Sequence, residues 1–253
     1  MSEEALSSIV AGVRLLCLDA GNTVIFLDHA RIARLLAEEG LDVSAETLIR
    51  CEGEAKCLLE DGHGEHPAWE YERAVGALGW GRTIATILAQ AGVDRARIPA
   101  LLAKLWRSHL DLNLWWKVPA GMGPALDAVR ALGVKVVIVS NSEGMLDVLF
   151  ERLQIAQHFD LVVDSGKAGV EKPEPGIWQI ALAAYPTPLD RVLHLGDTYA
   201  TDIAGAKAAG LRAALIDPFG HYASRHLAVP RVPGVVEVAT AIVRSASRQS
   251  TEA

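Results

Sequence analysis

The chain has 253 residues, of which 51% are hydrophobic and 22% charged, so it can bury one large domain core or a core with a smaller accessory domain. Its formal net charge is -7, and its Lys and Arg residues form no basic stripe of the kind that binds nucleic acid. No uncharged apolar run approaches the roughly 18 residues that would predict a membrane span. We therefore expect a globular protein that binds neither nucleic acid nor membranes.

The N-terminus and the cysteines predict a cytoplasmic location. The first four residues, Met1–Glu4, include two glutamates and no basic residue, whereas a signal peptide begins with basic residues. Cys17, Cys51 and Cys57 form an odd set without zinc-ligand spacing, and a disulfide framework would need an even number. Such a set is typical of proteins from a reducing compartment.

Short apolar runs rich in Val, Leu and Ile predict strands that are buried on both faces. They are Val13–Leu18, Val134–Val139, Phe159–Val163, Arg191–Leu195 and Leu211–Ile216. Helical patterns accompany them at Pro124–Leu132, Met145–Leu153, Pro175–Ala184 and Ile203–Ala209. Strands that alternate with helices predict an α/β fold with a parallel sheet covered on both sides. A last helix is expected after Gly234, and the polar tail Ser245–Ala253 is expected to be loose.

Between Asp28 and Trp116 the strand-like runs disappear and helical periodicity replaces them. The predicted helices are His29–Glu39, Ala45–Glu60, Trp69–Ala77, Arg82–Ala91 and Ile98–Leu110. Gly and Pro are expected to interrupt them at Asp61–Pro67 and Gly79–Gly81. We predict a core of residues 1–27 and 117–253, discontinuous in sequence, and an inserted all-helical domain of residues 28–116.

Polar residues follow three of the predicted strands. Asp19 comes directly after the first strand, Ser140 after the second and Asp197 shortly after the fourth. Ligands of open parallel sheets bind beyond the carboxyl ends of the strands, so these side chains should meet in one cleft. Each residue has an ordinary explanation when taken alone, as a turn former or a helix cap, and Lys172 alone would be a solvated loop lysine.

Four motifs in order give the chain its resemblance to a known family. Asp19-Ala20-Gly21-Asn22-Thr23 resembles the first motif of the haloacid dehalogenase superfamily, in which an Asp precedes a short turn that ends in Thr. Ser140-Asn141 is similar to the second motif, Lys172-Pro173-Glu174-Pro175 to the third and the stretch Gly196–Asp202 to the fourth. The resemblance implies a Rossmann-like sheet with an inserted helical cap of the C1 type.

The resemblance also implies hydrolysis of a small phosphorylated metabolite with Mg²⁺ as cofactor. Asp19 would be the nucleophile and form an aspartyl-phosphate. Asp19, the carbonyl of Gly21 and Asp197 would ligate the metal, with Asp202 in support. These oxygens are the hard ligands that Mg²⁺ prefers.

Three further groups would act on the phosphoryl group itself. Lys172 would balance the charge of the nucleophile and of the transferred group. Ser140 and the amide of Asn141 would donate hydrogen bonds to the phosphoryl oxygens, as oxyanion-binding groups do. Phosphoryl transfer depends almost entirely on such positioning and charge stabilisation.

Gly21 departs from the family pattern, because phosphatases of this family carry a second Asp there as general acid and base. Loss of such a group costs about 10²–10⁴ in rate. The departure leaves four hypotheses. The chain could be a phosphatase that takes its acid from the helical domain or the substrate, or that favours phosphates with good leaving groups. It could also be a haloacid dehalogenase, a phosphonate-cleaving enzyme, or a binding or regulatory protein with weakened turnover.

Other residues separate these hypotheses. Dehalogenases of the family lack the metal site, so Asp197 and Asp202 argue against that activity. Phosphonate-cleaving members use a cap lysine as a Schiff base, and Lys56 and Lys104 in the insertion are expected to be surface lysines. His63 and His66 lie in a polar loop that could supply the missing acid, although a solvated loop is the expected structure.

Overall fold

The computed structural model describes residues 2–251, with side chains up to residue 248. Its main sheet has six parallel strands in the order β5-β4-β1-β6-β7-β8. The strands are β1 (Leu15–Leu18), β4 (Lys135–Ser140), β5 (Leu161–Asp164), β6 (Val192–Gly196), β7 (Arg212–Ile216) and β8 (Arg231–Val232). A separate two-stranded sheet contains β2 (Phe26–Leu27) and β3 (Trp115–Lys117). The predicted α/β class with a parallel sheet is confirmed.

Each of the predicted strands is present within a few residues of its expected limits. The short strands β2, β3 and β8 were not predicted, because two or three residues are too few to show an apolar period. In the sheet, Leu18 of β1 stands level with Ile138 of β4 and Leu195 of β6. This register brings the ends of the three strands to the same edge.

Contacts among Cα atoms divide the chain into two units. Among the described residues, the first unit contains 2–26, 118–218 and 227–251 and includes the main sheet. Its helices are α1 (Glu3–Val10), α6 (Met122–Ala131), α7 (Leu146–Arg152), α8 (Ser165–Ala168), α9 (Gly176–Ala184), α10 (Gly205–Ala208) and α11 (Val235–Thr251). The predicted loose tail is wrong as far as Thr251, which ends α11, and Glu252 and Ala253 lie outside the described residues.

The second unit, here called the helical unit, contains residues 27–117 and 219–226. Its helices are α2 (His29–Ala37), α3 (Ala45–Glu60), α4 (Ala77–Gln90) and α5 (Ile98–Asp111). They enclose an apolar core of their own, built mainly from Leu, Ile and Trp side chains. Within the described part of the chain, no helix is both long enough and apolar enough to span a membrane.

The predicted helix Trp69–Ala77 is wrong, because these residues form turns and α4 begins at Ala77. The apolar signal at Trp69 comes from its packing against Trp80 and Trp106, whose ring centroids lie 5.7 and 5.9 Å away. The predicted interruption at Gly79–Gly81 is also wrong, since α4 runs through both glycines. A Cβ at Gly81 would lie 2.7 Å from Nε1 of Trp69, so this glycine permits close packing inside a helix.

Residues 219–226 were assigned to the core by sequence, but their contacts place them in the helical unit. His221 Nε2 donates to the carbonyl of Ile49 at 3.0 Å, and Tyr222 donates its hydroxyl to Glu60 at 2.7 Å. Arg225 pairs with Asp61 nearby. These hydrogen bonds to α3 and its C-terminal end join residues far apart in sequence, so no local pattern could have shown them.

The helical unit also buries a charged group. Glu52 of α3 is 1% exposed and accepts a hydrogen bond from His29 at 2.9 Å. Lys56 lies one turn along the same helix and contacts Nδ1 of His221 at 3.2 Å. Burial alone would raise the pKa of Glu52, but the charge of Lys56 and the hydrogen bond with His29 lower it from 4.5 to about 2.

We predict that Glu52→Gln lowers the free energy of unfolding by about 3 kcal/mol at pH 7, because it removes a buried negative charge that faces Lys56 and accepts from His29. A depressed carboxyl pKa contributes stability that is complete above its ordinary value of 4.5. That contribution is lost as the pH falls through the folded-state pKa of about 2. Denaturant unfolding of both chains should therefore show a difference that shrinks below about pH 4.5.

Glu54→Gln is the matched control, because Glu54 lies on the same helix but its side chain is 42% exposed and pairs with the exposed Arg50. An exposed pair of this spacing contributes about 0.3–0.5 kcal/mol. Equal effects of the two substitutions, or a Glu52 effect that does not change with pH, would contradict the assignment.

Candidate active site

The candidate site lies at the carboxyl edge of the main sheet, within the first unit. The parallel register ends β1, β4 and β6 together, and Asp19, Ser140 and Asp197 follow or terminate these strands. All three side chains are buried. Asp19 and Ser140 end the buried apolar stretches of β1 and β4, and Asp197 follows β6, so the three side chains mark the sheet edge.

Asp19 is the residue on which the other side chains converge. Its backbone N–H donates to the carbonyl of Leu195 at 2.8 Å, which extends the pairing of β1 and β6 by one residue. One carboxylate oxygen, Oδ1, accepts from the Ser140 hydroxyl at 2.9 Å and from the Lys172 ammonium at 2.5 Å. The carboxylate is thereby fixed by two donors from different segments.

Asn141 fixes the backbone that carries Lys172. Its side-chain amide donates to the Lys172 carbonyl at 2.9 Å and accepts from the Lys172 N–H at 2.7 Å. The side chain of Asn141 therefore holds the lysine loop beside the end of β4. The phosphoryl contact expected of Asn141 remains a prediction about its backbone N–H.

Lys172 bridges two carboxylates in the interior. It is 3% exposed, and its ammonium also donates to Oδ1 of Asp202 at 2.6 Å. Burial alone would lower the pKa of Lys172, but Asp19 and Asp202 raise it above its ordinary value. The side chain is therefore a fixed positive charge, and the solvated loop lysine considered from sequence is wrong.

Asp202 lies in a π-helical turn, Tyr199–Ala204, that leads into α10. Its Oδ2 accepts from the backbone N–H of Thr198 at 3.0 Å. A Cβ at Gly196 would lie 2.2 Å from Cγ of Asp202, so only glycine leaves room for this carboxylate. Burial raises the pKa of Asp202, but Lys172 and His194 outweigh it and hold the pKa below the usual range.

Asp197 follows β6 directly and precedes the same π-helical turn. Its Oδ2 accepts from the side-chain amide of Asn22 at 3.1 Å, and its Oδ1 contacts the Thr198 hydroxyl at 3.4 Å. Asn22 carries the left-handed backbone of the turn after Asp19, with φ of 51°. Asn tolerates this conformation, so the motif residue next to Gly21 shapes the turn and also contacts a carboxylate.

The three carboxylates offer the kind of oxygen atoms that bind a divalent cation. Asp19, Asp197 and Asp202 each offer an oxygen within 4.8 Å of the others, and all are buried. Burial raises the pKa of Asp19 from 3.8 to about 7, and the negative charges of Asp202 and Asp197 contribute to the rise. Lys172 opposes this shift but does not cancel it. A divalent cation would offset this repulsion, and hard oxygen donors fit Mg²⁺.

Several residues near the site were not predicted from sequence. Asn22 and Thr198 contact Asp197, and the buried His194 contacts Oδ1 of Asp202 at 3.2 Å. Burial lowers the pKa of His194, although Asp202 opposes the shift. Asn22 and Thr198 stand inside motifs that the sequence had already marked, whereas His194 lies in an apolar strand and gave no signal.

The candidates in the helical unit are not alike in environment. His63 and His66 are exposed, as expected for a solvated loop. Lys104 pairs with Glu38 and Glu39 at 2.8 and 2.7 Å, which agrees with a surface lysine. Lys56 is likewise half-buried and contacts Nδ1 of His221 at 3.2 Å, so its assignment as a surface lysine stays a prediction.

Known proteins share this fold and these sequence features. The family model of haloacid dehalogenase-like hydrolases matches residues 13–210. A haloacid dehalogenase-like hydrolase domain-containing protein 3 from Xenopus laevis is 32% identical over 49% of this chain and 51% of its own length. The protein of the same name from Bos taurus is 29% identical over 81% of this chain and 82% of its own. A phosphoserine phosphatase from Thermus thermophilus is 30% identical over 54% of this chain and 53% of its own length.

Solved structures agree on the fold. A HAD-hydrolase from Bacillus subtilis bound to magnesium, YfnB, covers 91% of this chain and 98% of its own, with a TM-score of 0.60 and 15% identity. The match to a 2-haloacid dehalogenase from Pseudomonas syringae covers 92% of this chain and 99% of that protein, with a TM-score of 0.53 and 21% identity. The family model spans most of the chain, and the parallel sheet is that of these structures. The chain therefore belongs to the haloacid dehalogenase-like hydrolases.

Proposed function

We propose that this hydrolase is a Mg²⁺-dependent phosphatase that acts on a small phosphorylated metabolite through an aspartyl-phosphate at Asp19. The observation that supports it best is the convergence of a hydroxyl donor and an ammonium on one oxygen of Asp19. Two further buried carboxylates lie beside it. Nucleophile, charge balance and metal ligands are thus contributed by one small cluster.

The residues present match the needs of the two chemical steps. A carboxylate oxygen of Asp19 attacks phosphorus, and the phosphorus–oxygen bond to the leaving group breaks as the new bond forms. The leaving group departs as an oxyanion and becomes the alcohol by taking up a proton, which over the whole reaction comes from the attacking water. Water then attacks the same phosphorus, the bond to Asp19 breaks, and phosphate leaves while the carboxylate is restored. Ser140 and the backbone N–H of Asn141 would hold phosphoryl oxygens, and Lys172 would balance their charge.

Charge balance supports a metal ion. Asp19, Asp197 and Asp202 are three carboxylates, whereas Lys172 supplies one positive charge to them. Asp19, Asp197 and the carbonyl of Gly21 would ligate Mg²⁺, and Asp202 would support the site. When bound, the ion supplies the positive charge that attack of one anion on another requires.

The surplus of carboxylates also favours a phosphatase over a dehalogenase. A buried excess of negative charge is costly unless a cation offsets it. A phosphatase needs such a cation to balance the charge of the phosphoryl group, whereas attack on an uncharged carbon–halogen bond does not. The Thermus relative carries the name of a phosphatase, whereas the dehalogenase resembles this chain at a level that shows the fold alone. A weakened binding or regulatory protein is the alternative that Gly21 supports.

We further propose that the helical unit is the cap of this enzyme, because an insertion after the first motif has that role in the family. The three cysteines are free thiols, which suits the reducing cytoplasm as the working compartment. The cap would select the substrate, and the core would carry the chemistry.

A substrate panel tests the proposed activity. Aryl phosphates, phosphorylated metabolites and 2-haloacids should be assayed with Mg²⁺ and with excess chelator. We expect phosphate release that requires Mg²⁺ and no halide release. Halide release that survives the chelator would show a dehalogenase, and binding of phosphorylated ligands without turnover would show a binding protein.

We predict that Asp197→Asn weakens Mg²⁺ binding at least about tenfold and lowers phosphatase activity with it, because one negatively charged oxygen ligand is lost. Titration calorimetry measures the affinity without reference to turnover. Asp147→Asn is the control, since Asp147 lies on α7 with a side chain that is 53% exposed and paired with Lys167. Native Mg²⁺ affinity in Asp197→Asn would contradict the ligand assignment.

We predict that the native enzyme prefers aryl over alkyl phosphates by about 10²–10⁴ in kcat/KM, because only alkyl leaving groups need a proton and Gly21 cannot supply one. Gly21→Asp should narrow this gap by raising activity on the alkyl substrate. The left-handed position of the turn is Asn22, so the new side chain does not fall on that residue.

Gly21→Asn is the matched control for this experiment, because it adds nearly the same volume without an acid. It should leave the aryl-to-alkyl ratio at its native value. A native enzyme without the preference must take its proton from another group. Equal changes in Gly21→Asp and Gly21→Asn would show that the position affects only the backbone.

A further inference from the structure

His194 and Trp178 form a buried polar pair behind the site. His194 lies in the middle of β6 and is 0% exposed, and Trp178 of α9 is 1% exposed. The indole Nε1 donates to Nδ1 of His194 at 3.3 Å, and Nε2 of His194 lies 3.2 Å from Oδ1 of Asp202. Both ring nitrogens of the histidine are therefore engaged.

The direction of these hydrogen bonds follows from the indole. A tryptophan N–H can donate but cannot accept, so Nδ1 of His194 must be the accepting nitrogen. In a neutral imidazole the other nitrogen then carries the hydrogen, and Nε2 donates to the carboxylate of Asp202. Trp178 thus selects the tautomer that can hold Asp202.

The neighbours of His194 argue against a packing role alone. Val192, Leu193 and Leu195 on the same strand are all 0% exposed and apolar. An aliphatic side chain at position 194 would fill the interior without desolvating two nitrogens, which is costly unless both find partners. Here both nitrogens have partners, and one of them belongs to the candidate site.

The contact reaches the nucleophile through two further residues. Oδ1 of Asp202 accepts hydrogen bonds from Nε2 of His194 and from the Lys172 ammonium. The same ammonium also donates to Asp19. Oδ2 of Asp202 accepts a hydrogen bond from the backbone N–H of Thr198. We propose that Trp178 and His194 are positioning residues that orient Asp202 and thereby set Lys172 and the metal site around Asp19, an inference that rests on the proposed function.

Three substitutions test the pair. His194→Leu removes both polar atoms, His194→Gln keeps one acceptor for Trp178 and one donor for Asp202, and Trp178→Phe removes only the indole N–H. Loss of a group that orients a metal-site residue typically costs about 10–100-fold in affinity or activity. We expect His194→Leu to lose that much in Mg²⁺ affinity by calorimetry and in kcat on an aryl phosphate, with KM nearly unchanged.

Rescue by the conservative variant separates positioning from packing. His194→Gln should recover most of the loss, and Trp178→Phe should lie between native and His194→Leu. Equal impairment of His194→Gln and His194→Leu, or native behaviour of both, would overturn the proposal. If His194→Leu does not fold, Trp178→Phe carries the test, and native Mg²⁺ affinity and kcat in that variant would overturn it.

Imidazole ¹⁵N NMR gives a readout that does not depend on the proposed activity. Native His194 should show a neutral ring with its hydrogen on Nε2. In Trp178→Phe, both neutral tautomers of His194 should be populated, because the indole donor to Nδ1 is lost. Hydrogen on Nδ1 in the native protein would overturn the pair. A native chain with the expected tautomer but neither Mg²⁺ binding nor phosphatase activity would refute the proposed function and leave the hydrogen-bond assignment standing.

Discussion

The bridge from Lys172 to Asp19 and Asp202 is the interaction on which the site depends. Two carboxylates at this depth could not remain charged and close together without a cation between them. The lysine supplies that cation and joins three segments of the chain, the end of β1, the loop before α9 and the π-helical turn after β6. Asn141 holds the lysine backbone, and Gly196 leaves space for Asp202.

One lysine does not balance the whole cluster. Asp197 brings a third carboxylate within reach of the other two, and burial with this repulsion raises the pKa of Asp19 to about 7. A nucleophilic carboxylate must be ionised, so the arrangement calls for a further positive charge during the reaction. This requirement is the physical link between the observed geometry and the proposed Mg²⁺-dependent phosphatase. Gly21 leaves that chemistry intact but removes the usual source of a proton.

The sequence predicted the parts of the structure that local patterns determine. Buried parallel strands are continuous apolar runs, so Asp19 and Ser140 stood out where the runs stopped. Contacts between distant segments left no such pattern. His194 and Trp178 look like any other core residues until the fold brings the two side chains together, and residues 219–226 join the helical unit through hydrogen bonds to α3. Gly81 was mistaken for a helix breaker because its contact with Trp69 cannot be inferred from spacing.

Detection of the covalent intermediate tests the central claim most directly. Native protein and Asp19→Asn would be mixed with an aryl phosphate and Mg²⁺, quenched in acid within one turnover and digested for mass spectrometry. The account predicts a gain of one phosphoryl group on the native peptide that contains Asp19 and none on that peptide in the variant. Rapid phosphate release with that peptide unmodified, or with the phosphoryl group on another residue, would contradict it.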